Sequence, residues 1–510
     1  MHPEKQKKII ILAAVLVGIV TLPGGCNTLL GGSLFSGGFL GLQQQEPAST
    51  APAYQSPLWE EEGLDARQAE YAGFLETVSE NRLAIYDGTI PVIEDSWLDE
   101  NTGFNEEYTD EQLEALTTAP EPPPETVSAE EAKEDVNTAF ALLRGGYAAY
   151  DYFGGRKAFN DAREEALAQL PETGAVRVEA LRDVILSALK EVVTDNVLSV
   201  GGLTAVEDQQ QGWYVPDLYF SDPVDAVTDG RAKAVPTITP DGALGYTLCA
   251  AVTGAEAGSL PETAEIEGET VTLDWQPMDG SLLPLNPISE SALEDGTVVL
   301  SSSGFEAEDE EGWVRLDALG QAGASFSLEP VLIWDLRSNH GGGDGYFSDW
   351  FGGFTGRSPL VKMSYAARIT PLNQKLLNFV LAPWWYVDGR QGQLTPRNGF
   401  TFAVQDVYTA GPGESVLCQL RSIENLLTVG APTAGAMLTG NPVSAYLPHS
   451  GLELVWGTKI QQLENGWLSD GEGIPPDLWV PAEEALARIE AMIGYYGLRD
   501  WGSALGGTTE

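Results

Sequence analysis

The stretch VLIWDLRSNHGGG, Val331 to Gly343, has the pattern of a buried strand that runs into a loop. Its first four residues are apolar without any polar alternation, which is typical of a strand covered on both faces of a sheet. Asp335-Leu336-Arg337 follows, and a run of three glycines closes the stretch. Glycines allow a backbone to approach a ligand closely and leave N–H groups available, but a glycine loop alone is weak evidence of a site.

The segments around this strand alternate between strand and helix patterns. TVVLSSSGF at residues 297–305 predicts a strand, a helix is predicted near Leu316–Gly323, and the stretch from Val331 predicts the next strand. Continuous apolar strands separated by helices indicate an α/β fold, with a mixed sheet covered by helices. We place this core at residues 291–500.

Residues 128–200 predict a small helical domain before the core. Ser128 and Glu131 have the spacing of a capping box, and helical stripes recur at Phe159–Leu170 and Ala175–Val193. Residues 201–290 alternate short extended runs with turns, as in GETVTLDW at Gly268–Trp275, and predict a β-rich intermediate region.

The N-terminus has the pattern of an export signal. Three lysines precede the apolar run Ile9–Leu22, and PGGC follows at Pro23–Cys26. Residues 1–26 resemble a bacterial lipoprotein signal peptide with a lipobox, which implies lipidation of Cys26 and an extracytoplasmic protein anchored to the outer face of the cytoplasmic membrane. An uncleaved membrane anchor is the alternative, because no charge appears again until Glu46. Residues 27–127 are predicted to be a linker and an acidic low-complexity region, with a stiff break at PEPPPE.

Composition excludes several kinds of site. The chain has 27 Lys and Arg against 75 Asp and Glu, a net charge of −48, so its field repels nucleic acid. The acidic run Glu306–Glu311 lacks the alternation of a calcium loop and predicts a solvated loop. Three cysteines are too few for a disulfide framework, and three histidines are too few for a His-based metal cluster. We expect no metal and no cofactor.

Four segments together resemble the S41 peptidases, the family of C-terminal-processing and tricorn-type serine proteases. The central one is Asp335-Leu336-Arg337 with Asn339 and Gly341-Gly342, which resembles the family's oxyanion strand and loop. The other three occur in the family's order, and they are Thr194-Asp195-Asn196 at the end of the helical domain, Gly413-Glu414 leading into LLTVGAPTAG at Leu426–Gly435, and GEGIPPDLWV at Gly471–Val480. The resemblance covers residues 128–495 and implies an S41-like core.

The catalytic positions that the resemblance implies hold no catalytic side chains. The nucleophilic serine's position, counted back from Gly413-Glu414, is Gly411. The lysine base of one branch falls at Ala436, and the histidine base of the tricorn-like branch falls at Val197. The residue that would donate its N–H to the oxyanion is Pro412, which has none. Asp335 and Arg337 are expected to shape the cleft beside Gly341 and Gly342.

Three other residues are alternative candidates for chemistry. Ser415 follows Gly-Pro-Gly-Glu in the first turn of a predicted helix, where it serves either as a displaced nucleophile or as a helix-start residue bonded to backbone amides. His340 in the glycine loop would be its base if the side chains meet, and otherwise bonds to the backbone. Cys418 is expected to be a buried core residue rather than a thiol nucleophile.

These patterns support two functions. The first is an exported S41-family protein that has lost catalysis and binds extended peptide or protein segments at the cell surface. The second is an active serine-type endopeptidase with a rearranged site built on Ser415. The expected partners are an extended polypeptide and the membrane, through the lipid anchor.

Overall fold

The computed structural model describes residues 63–86, 109–206, 209–221, 230–266, 268–278, 280–359, 363–377, 385–387, 394–463 and 471–506. The predicted signal peptide, with Cys26, lies outside the described residues. Within these ranges no helix combines the length and the apolar character that crossing a membrane requires.

The described residues form eleven helices and twenty strands. The helices are α1 Ala66–Tyr86, α2 Asp110–Leu116, α3 Ala129–Gly146, α4 Gly155–Gln169, α5 Val178–Lys190, α6 Glu310–Ala322, α7 Gly345–Thr355, α8 Pro371–Leu376, α9 Pro412–Leu420, α10 Ala485–Tyr496 and α11 Leu498–Gly506. The strands are β1 Thr126–Ser128, β2 Ala175–Arg177, β3 Ser199–Val200, β4 Leu203–Thr204, β5 Gln210–Tyr214, β6 Ala232–Ile238, β7 Leu244–Thr253, β8 Thr263–Ile266, β9 Glu269–Thr272, β10 Gln276–Pro277, β11 Ser289–Ala292, β12 Val298–Ser301, β13 Val331–Asp335, β14 Met363–Ala367, β15 Trp385–Val387, β16 Phe400–Gln405, β17 Leu426–Gly430, β18 Thr439–Tyr446, β19 Glu453–Leu463 and β20 Leu478–Trp479.

A six-stranded mixed sheet forms the centre of the core, in the order β11-β12-β13-β16-β17-β20. Strand β11 is antiparallel to β12, and the remaining neighbours are parallel. All five residues of β13 are buried, as the uninterrupted apolar run predicts. The predicted mixed α/β fold is confirmed.

Helices cover both faces of this sheet. On one face Trp334 of β13 packs edge-on against Trp350 of α7, at 4.9 Å between ring centroids, within a cluster that also includes α6 and α9. On the other face Tyr71 of α1 packs against Phe400 of β16, alongside α10 and α11. Because β13, β16 and β17 are parallel, their carboxyl ends meet at one edge of the sheet. The loops that follow these three strands lie together there.

The helical domain consists of α3, α4 and α5. Ser128 caps α3 through the predicted capping box with Glu131. The domain shares one hydrophobic cluster with the β18–β19 hairpin, which belongs to a second sheet of order β15-β14-β19-β3-β4. One detail of the predicted helix Ala175–Val193 is wrong: residues 175–177 pair antiparallel with β1, and the helix begins at Val178.

The β-rich region contains a four-stranded antiparallel sheet, β10-β5-β7-β6, and the hairpin β8–β9. It contacts the core through β6 and β20, where the Thr237 hydroxyl donates to the Trp479 carbonyl at 2.6 Å. The β character predicted for this region is thus seen in the structure.

Helix α1 corrects the predicted linker. Residues 66–86 lie inside the stretch 27–127, yet they form a 21-residue helix whose Tyr71, Leu75 and Val78 are buried against the core sheet. Arg82 of α1, itself buried, donates to Asp477 at 2.6 Å just before β20. The linker prediction was wrong for these residues because it relied on the acidic composition of the surrounding stretch, which does not indicate a helix that packs in the core.

The Arg82–Asp477 ion pair fixes α1 to the core. Burial raises the pKa of the Asp477 carboxyl, but the positive charges of Arg82 and Arg421 and hydrogen bonds from Thr428 outweigh that effect, so the pKa lies below its ordinary value. The stability that this ionised carboxylate contributes is present above the ordinary pKa of about 3.8 and is lost as the pH falls through the lower folded-state value.

We predict that Arg82→Ala lowers the free energy of unfolding by about 3 kcal/mol at pH 7, because it leaves a buried carboxylate short of its main partner. Urea unfolding measures the loss, and the difference from the wild type should shrink below pH 3.8. The matched control is Lys157→Ala, which removes an ion pair with Asp161 whose side chains are 87% and 63% exposed, and which costs less than about 0.5 kcal/mol. Equal losses in the two variants would contradict the anchoring role.

Candidate functional site

The turn between β16 and α9 is held in shape by a buried carboxylate. Asp406 directly follows β16, and its Oδ1 accepts hydrogen bonds from the backbone N–H of Ser338 at 2.9 Å and of Tyr408 at 3.1 Å. Burial raises the pKa of this carboxyl, and hydrogen bonds from Ser338 and Thr409 oppose the shift. The contact with Ser338 joins this turn to the loop after β13.

Gly411 stands at the N-cap of α9 with φ +48° and ψ −105°. A residue with a Cβ would be strained at this φ, so glycine suits the position. Nucleophiles of several hydrolase folds occupy sharp strand-to-helix turns of this kind. Pro412 follows at the first helical position, where its fixed φ suits the helix and its missing N–H breaks no helical bond. The glycine-proline turn and the helix start predicted here are confirmed.

Glu414 connects this turn to the turn after β17. Its side chain is fully buried, and Oε1 accepts from the Thr433 hydroxyl at 2.5 Å and from the Gly435 N–H at 2.8 Å. Oε2 accepts from the N–H groups of Gly411 and Ala436, both at 2.9 Å. Burial raises the pKa of the Glu414 carboxyl, while these four hydrogen bonds act against that shift.

The positions of the predicted nucleophile and lysine base face each other. A Cβ added at Gly411 would lie 3.8 Å from the Ala436 carbonyl oxygen, with nothing else within 4 Å. The helical domain's last corner reaches the same place, because Asn196 Nδ2 donates to the carbonyls of Ala434 and Gly435 at 3.1 and 3.0 Å. Val197 follows directly on that corner, so the three positions that the resemblance assigns to a nucleophile or base belong to one small region.

The glycine loop after β13 lies against the turn from β16 into α9, residues 406–412, which we call the nucleophile turn. The Ala410 N–H donates to the Asn339 carbonyl at 2.8 Å. Gly342 has φ +89° and lies so close to the Phe305 backbone that any side chain would clash. A Cβ at Gly341 would lie 2.9 Å from the Glu306 carboxylate, which places a negative charge beside this loop. The predicted oxyanion loop is therefore next to the turn, but its neighbour Glu306 disfavours an anion there.

Asp335 and Arg337 form a bidentate ion pair, with Arg337 Nε 2.9 Å from Asp335 Oδ1 and Nη2 2.7 Å from Oδ2. Burial lowers the pKa of Arg337, and the hydrogen bonds to Asp335 and its charge outweigh that effect and raise it overall. Arg337 also donates to the Ala482 carbonyl at 2.8 Å. The pair thus fixes the strand end to the segment before α10, as a shaping role requires.

The fourth segment of the resemblance, Gly471–Val480, is hydrogen-bonded to the turn after β17. The Gly471 N–H donates to the Gly435 carbonyl at 3.0 Å, and the Ile474 N–H donates to the Thr433 hydroxyl at 2.7 Å. Gly435 has φ +69°, and a Cβ there would lie 2.8–2.9 Å from the backbone nitrogens of residues 471–473. All four segments identified in the sequence therefore meet at one edge of the core sheet.

Solved structures similar to this chain include mature CPAF, at 14% identity and a TM-score of 0.40, covering 75% of this chain and 99% of that one. Others are the photosystem II D1 C-terminal processing protease, at 16% identity and 0.36 over 74% and 98% of the two chains, and a protein assigned to the S41 proteases from Bacteroides fragilis, at 12% and 0.34 over 71% and 97%. These neighbours are S41 peptidases. No family model and no curated protein matched the chain.

At these identities and TM-scores, similarity to S41 structures assigns no role to an individual residue, so the contacts within this chain must do so. Ser415 Oγ donates to Asp344 Oδ2 at 2.5 Å, and its own N–H donates to the Gly411 carbonyl within the helix. His340 Nδ1 lies 2.7 Å from the Ser338 carbonyl oxygen and donates to it. The two candidate residues thus have different partners rather than each other.

Asp344 is a partner of Ser415 that sequence analysis missed, and Lys459 is a basic residue on which the charge of Asp344 acts. Asp344 directly precedes α7, and Lys459 lies on β19 with its amine over Gly440, 3.5 Å from a Cβ built there. Partial burial lowers the pKa of the Lys459 amine, and the charge of Asp344 opposes that shift. Only the position of Asp344 directly after the glycine run hints at its interaction with Lys459, because Lys459 lies 115 residues further along the chain.

Cys418 is a core residue, as predicted. It lies on α9 among the apolar side chains of the α6–α7–α9 face, and burial raises its thiol pKa to about 12. Among the described residues, no group of three or more His, Cys, Asp and Glu side chains is placed to hold a metal ion.

We predict that Glu414→Ala lowers the free energy of unfolding by at least about 3 kcal/mol, because it leaves one hydroxyl and three backbone N–H donors buried without their acceptor. Chemical denaturation measures the change. Glu472→Ala, an exposed glutamate two residues from Ile474 in the adjoining segment, is the matched control and should change stability by less than about 0.5 kcal/mol. A similar value for both variants would show that the four hydrogen bonds do not hold the two turns together.

A second prediction concerns the thiol of Cys418. With a pKa of about 12 it is almost entirely protonated at pH 7.5, so iodoacetamide should leave it unmodified in the folded protein and alkylate it in guanidinium chloride. Mass spectrometry of the peptide that contains Cys418 measures both states. Modification in the folded protein would identify an accessible, reactive thiol and reopen the question of a cysteine nucleophile.

Proposed function

We propose that this protein is an exported, lipid-anchored S41-like protein that binds extended polypeptide segments at the cell surface and does not cleave them. The observation that carries the proposal is that Gly411 and Ala436 lie together and neither has a reactive side chain. A side chain at residue 411 would point toward the Ala436 carbonyl at 3.8 Å, and neither residue brings a nucleophile or a base. The geometry of an active site is kept while its reactive groups are absent.

The oxyanion side supports the same proposal. Pro412 has no N–H to donate, and the Gly413 N–H already donates to the Ala410 carbonyl at 3.0 Å. The Glu306 carboxylate beside Gly341 adds a negative charge where a tetrahedral intermediate would develop one. A substrate carbonyl is neutral in its ground state, so these features oppose the transition state far more than they oppose peptide binding.

The retained framework favours binding rather than loss of function. The carboxylates of Glu414, Asp406 and Asp335 are buried and hydrogen-bonded, the last of them to the half-buried Arg337, and together they keep the loops after β13, β16 and β17 in fixed positions. Preorganised loops at the carboxyl edge of a sheet lower the entropy that a ligand must otherwise overcome on binding. An extended segment is the expected ligand, since it exposes the backbone groups that such a cleft can contact.

One observation favours the alternative, a serine endopeptidase that uses Ser415. Its hydroxyl donates to the Asp344 carboxylate at 2.5 Å, a distance suited to proton transfer. Against it, the Ser415 N–H is bonded within α9, and His340 donates to the Ser338 carbonyl. We therefore assign Ser415 to the contact between α9 and α7, where the Ser348 hydroxyl also donates to Gln419 at 3.0 Å.

We predict that the purified protein binds fluorescein-labelled casein, an unfolded substrate, without cleaving it. Fluorescence anisotropy measures binding, and mass spectrometry of the same samples detects cleavage products. Ser415→Ala should behave as the wild type in both assays. Cleavage by the wild type that disappears in Ser415→Ala would instead establish the relocated nucleophile, and absence of casein binding would overturn the proposed binding role.

A further inference from the structure

An exposed apolar segment borders the candidate cleft. Leu282, Leu283 and Leu285 are 58%, 39% and 37% exposed, and Pro284 between them is also exposed. We name residues 282–285 the leucine strap. Four consecutive exposed apolar residues are unfavourable in water, and such runs mark interaction sites when they are ordered.

The leucine strap is held in place by hydrogen bonds. The Leu283 N–H donates to the Ser338 hydroxyl at 3.0 Å, and the Ser303 hydroxyl donates to the Pro284 carbonyl at 2.6 Å. Ser303 also accepts from the Asn286 N–H at 2.7 Å and donates its own N–H to the Asn286 carbonyl. The backbone is therefore anchored at Leu283 and Pro284 while the leucine side chains stay exposed, which is the arrangement of a preformed surface.

The strap is continuous with the candidate cleft. Ser338, which accepts from Leu283, is the residue whose N–H donates to Asp406 in the nucleophile turn. On the other side, Leu285 lies over Gly304, and a Cβ there would be 2.7 Å from the leucine's Cδ1. An extended segment in the cleft would reach the strap without leaving the surface.

The charges beside the strap point to a basic ligand. Residues 280–289 contain no charged side chain. The acidic run Glu306–Glu311 follows later in the chain, and its first residue comes close to the strap in space. Glu306 lies over the same Gly304 as Leu285 and also beside Gly341, so it stands between the strap and the glycine loop. Glu308 and the acidic residues after it are exposed.

We propose that the leucine strap and the acidic run together select the ligand of the cleft: an extended polypeptide segment that carries aliphatic side chains and adjacent lysine or arginine residues. This inference rests on the proposed binding function and adds a ligand class to it. Aliphatic side chains cover the exposed leucines, and the basic side chains pair with Glu306 and Glu308. The apolar contact supplies affinity, and the charges supply salt-dependent specificity.

The test compares three fluorescein-labelled peptides of equal length by anisotropy with the full-length protein. One carries leucines and lysines, the second has serine in place of each leucine, and the third has glutamate in place of each lysine. We expect the first to bind at least about ten-fold more tightly than either of the others at low salt, and its affinity to fall with added salt.

Two double variants and a control locate the contacts. Leu282→Ser with Leu283→Ser should weaken the leucine-lysine peptide about ten-fold, while Glu306→Gln with Glu308→Gln should lower the affinity at low salt and reduce the salt dependence. Leu328→Ser is the matched control: Leu328 is 84% exposed but precedes β13, at the end of that strand opposite the cleft, and its replacement should leave binding unchanged.

The outcomes separate the inference from the function on which it rests. Equal affinity for the three peptides, or an equal effect of the strap variant and Leu328→Ser, overturns the inference, and the binding function stands if casein still binds. Failure to bind both casein and all three peptides overturns the binding function and the ligand class together. Circular dichroism of each variant confirms that it is folded.

Discussion

A buried carboxylate is the constraint on which the candidate site depends. Glu414 accepts four hydrogen bonds in the interior, two from the Thr433–Gly435 turn and two from Gly411 and Ala436. A carboxyl group that is removed from water must find hydrogen-bond partners, so its presence holds the two turns in contact. None of its bonds involves a catalytic side chain. The geometry of the site can therefore persist when the nucleophile and base are replaced.

The parts of the fold that could be predicted are those that local pattern determines. The apolar run of β13 predicts a strand covered on both faces, and Ser128 with Glu131 predicts the start of α3, because each depends on neighbours within a few residues. Helix α1 was missed for the opposite reason. Its attachment depends on Arg82 meeting Asp477, 395 residues away, and an acidic stretch gives no local sign of such a partner.

In the candidate site, too, some residues could be predicted from local motifs and others depend on contacts between distant parts of the chain. Gly411, Pro412 and Ala436 could be named from the family resemblance, because short motifs on either side fix the register, and in the structure Glu414 accepts from the N–H groups of both Gly411 and Ala436. Asp344 beside Ser415 and Glu306 beside Gly341 could not, since each contact joins loops from different elements. The leucine strap was also missed, because exposure is a property of the packed structure and its sequence equally suits a buried segment.

Gly411 and Pro412 in the nucleophile turn are residues that relieve backbone strain. Gly411 keeps φ +48°, which a serine could hold only at a cost, and Pro412 at the first helical position fixes a φ that suits α9. Both residues favour the folded state, and in the proposed function they stand in place of groups that act only in a transition state, the nucleophile and an oxyanion donor. A site selected for turnover keeps such strain, whereas a site that only binds gains stability by losing it. The glycine and proline of this turn are the composition that the proposed binding function requires.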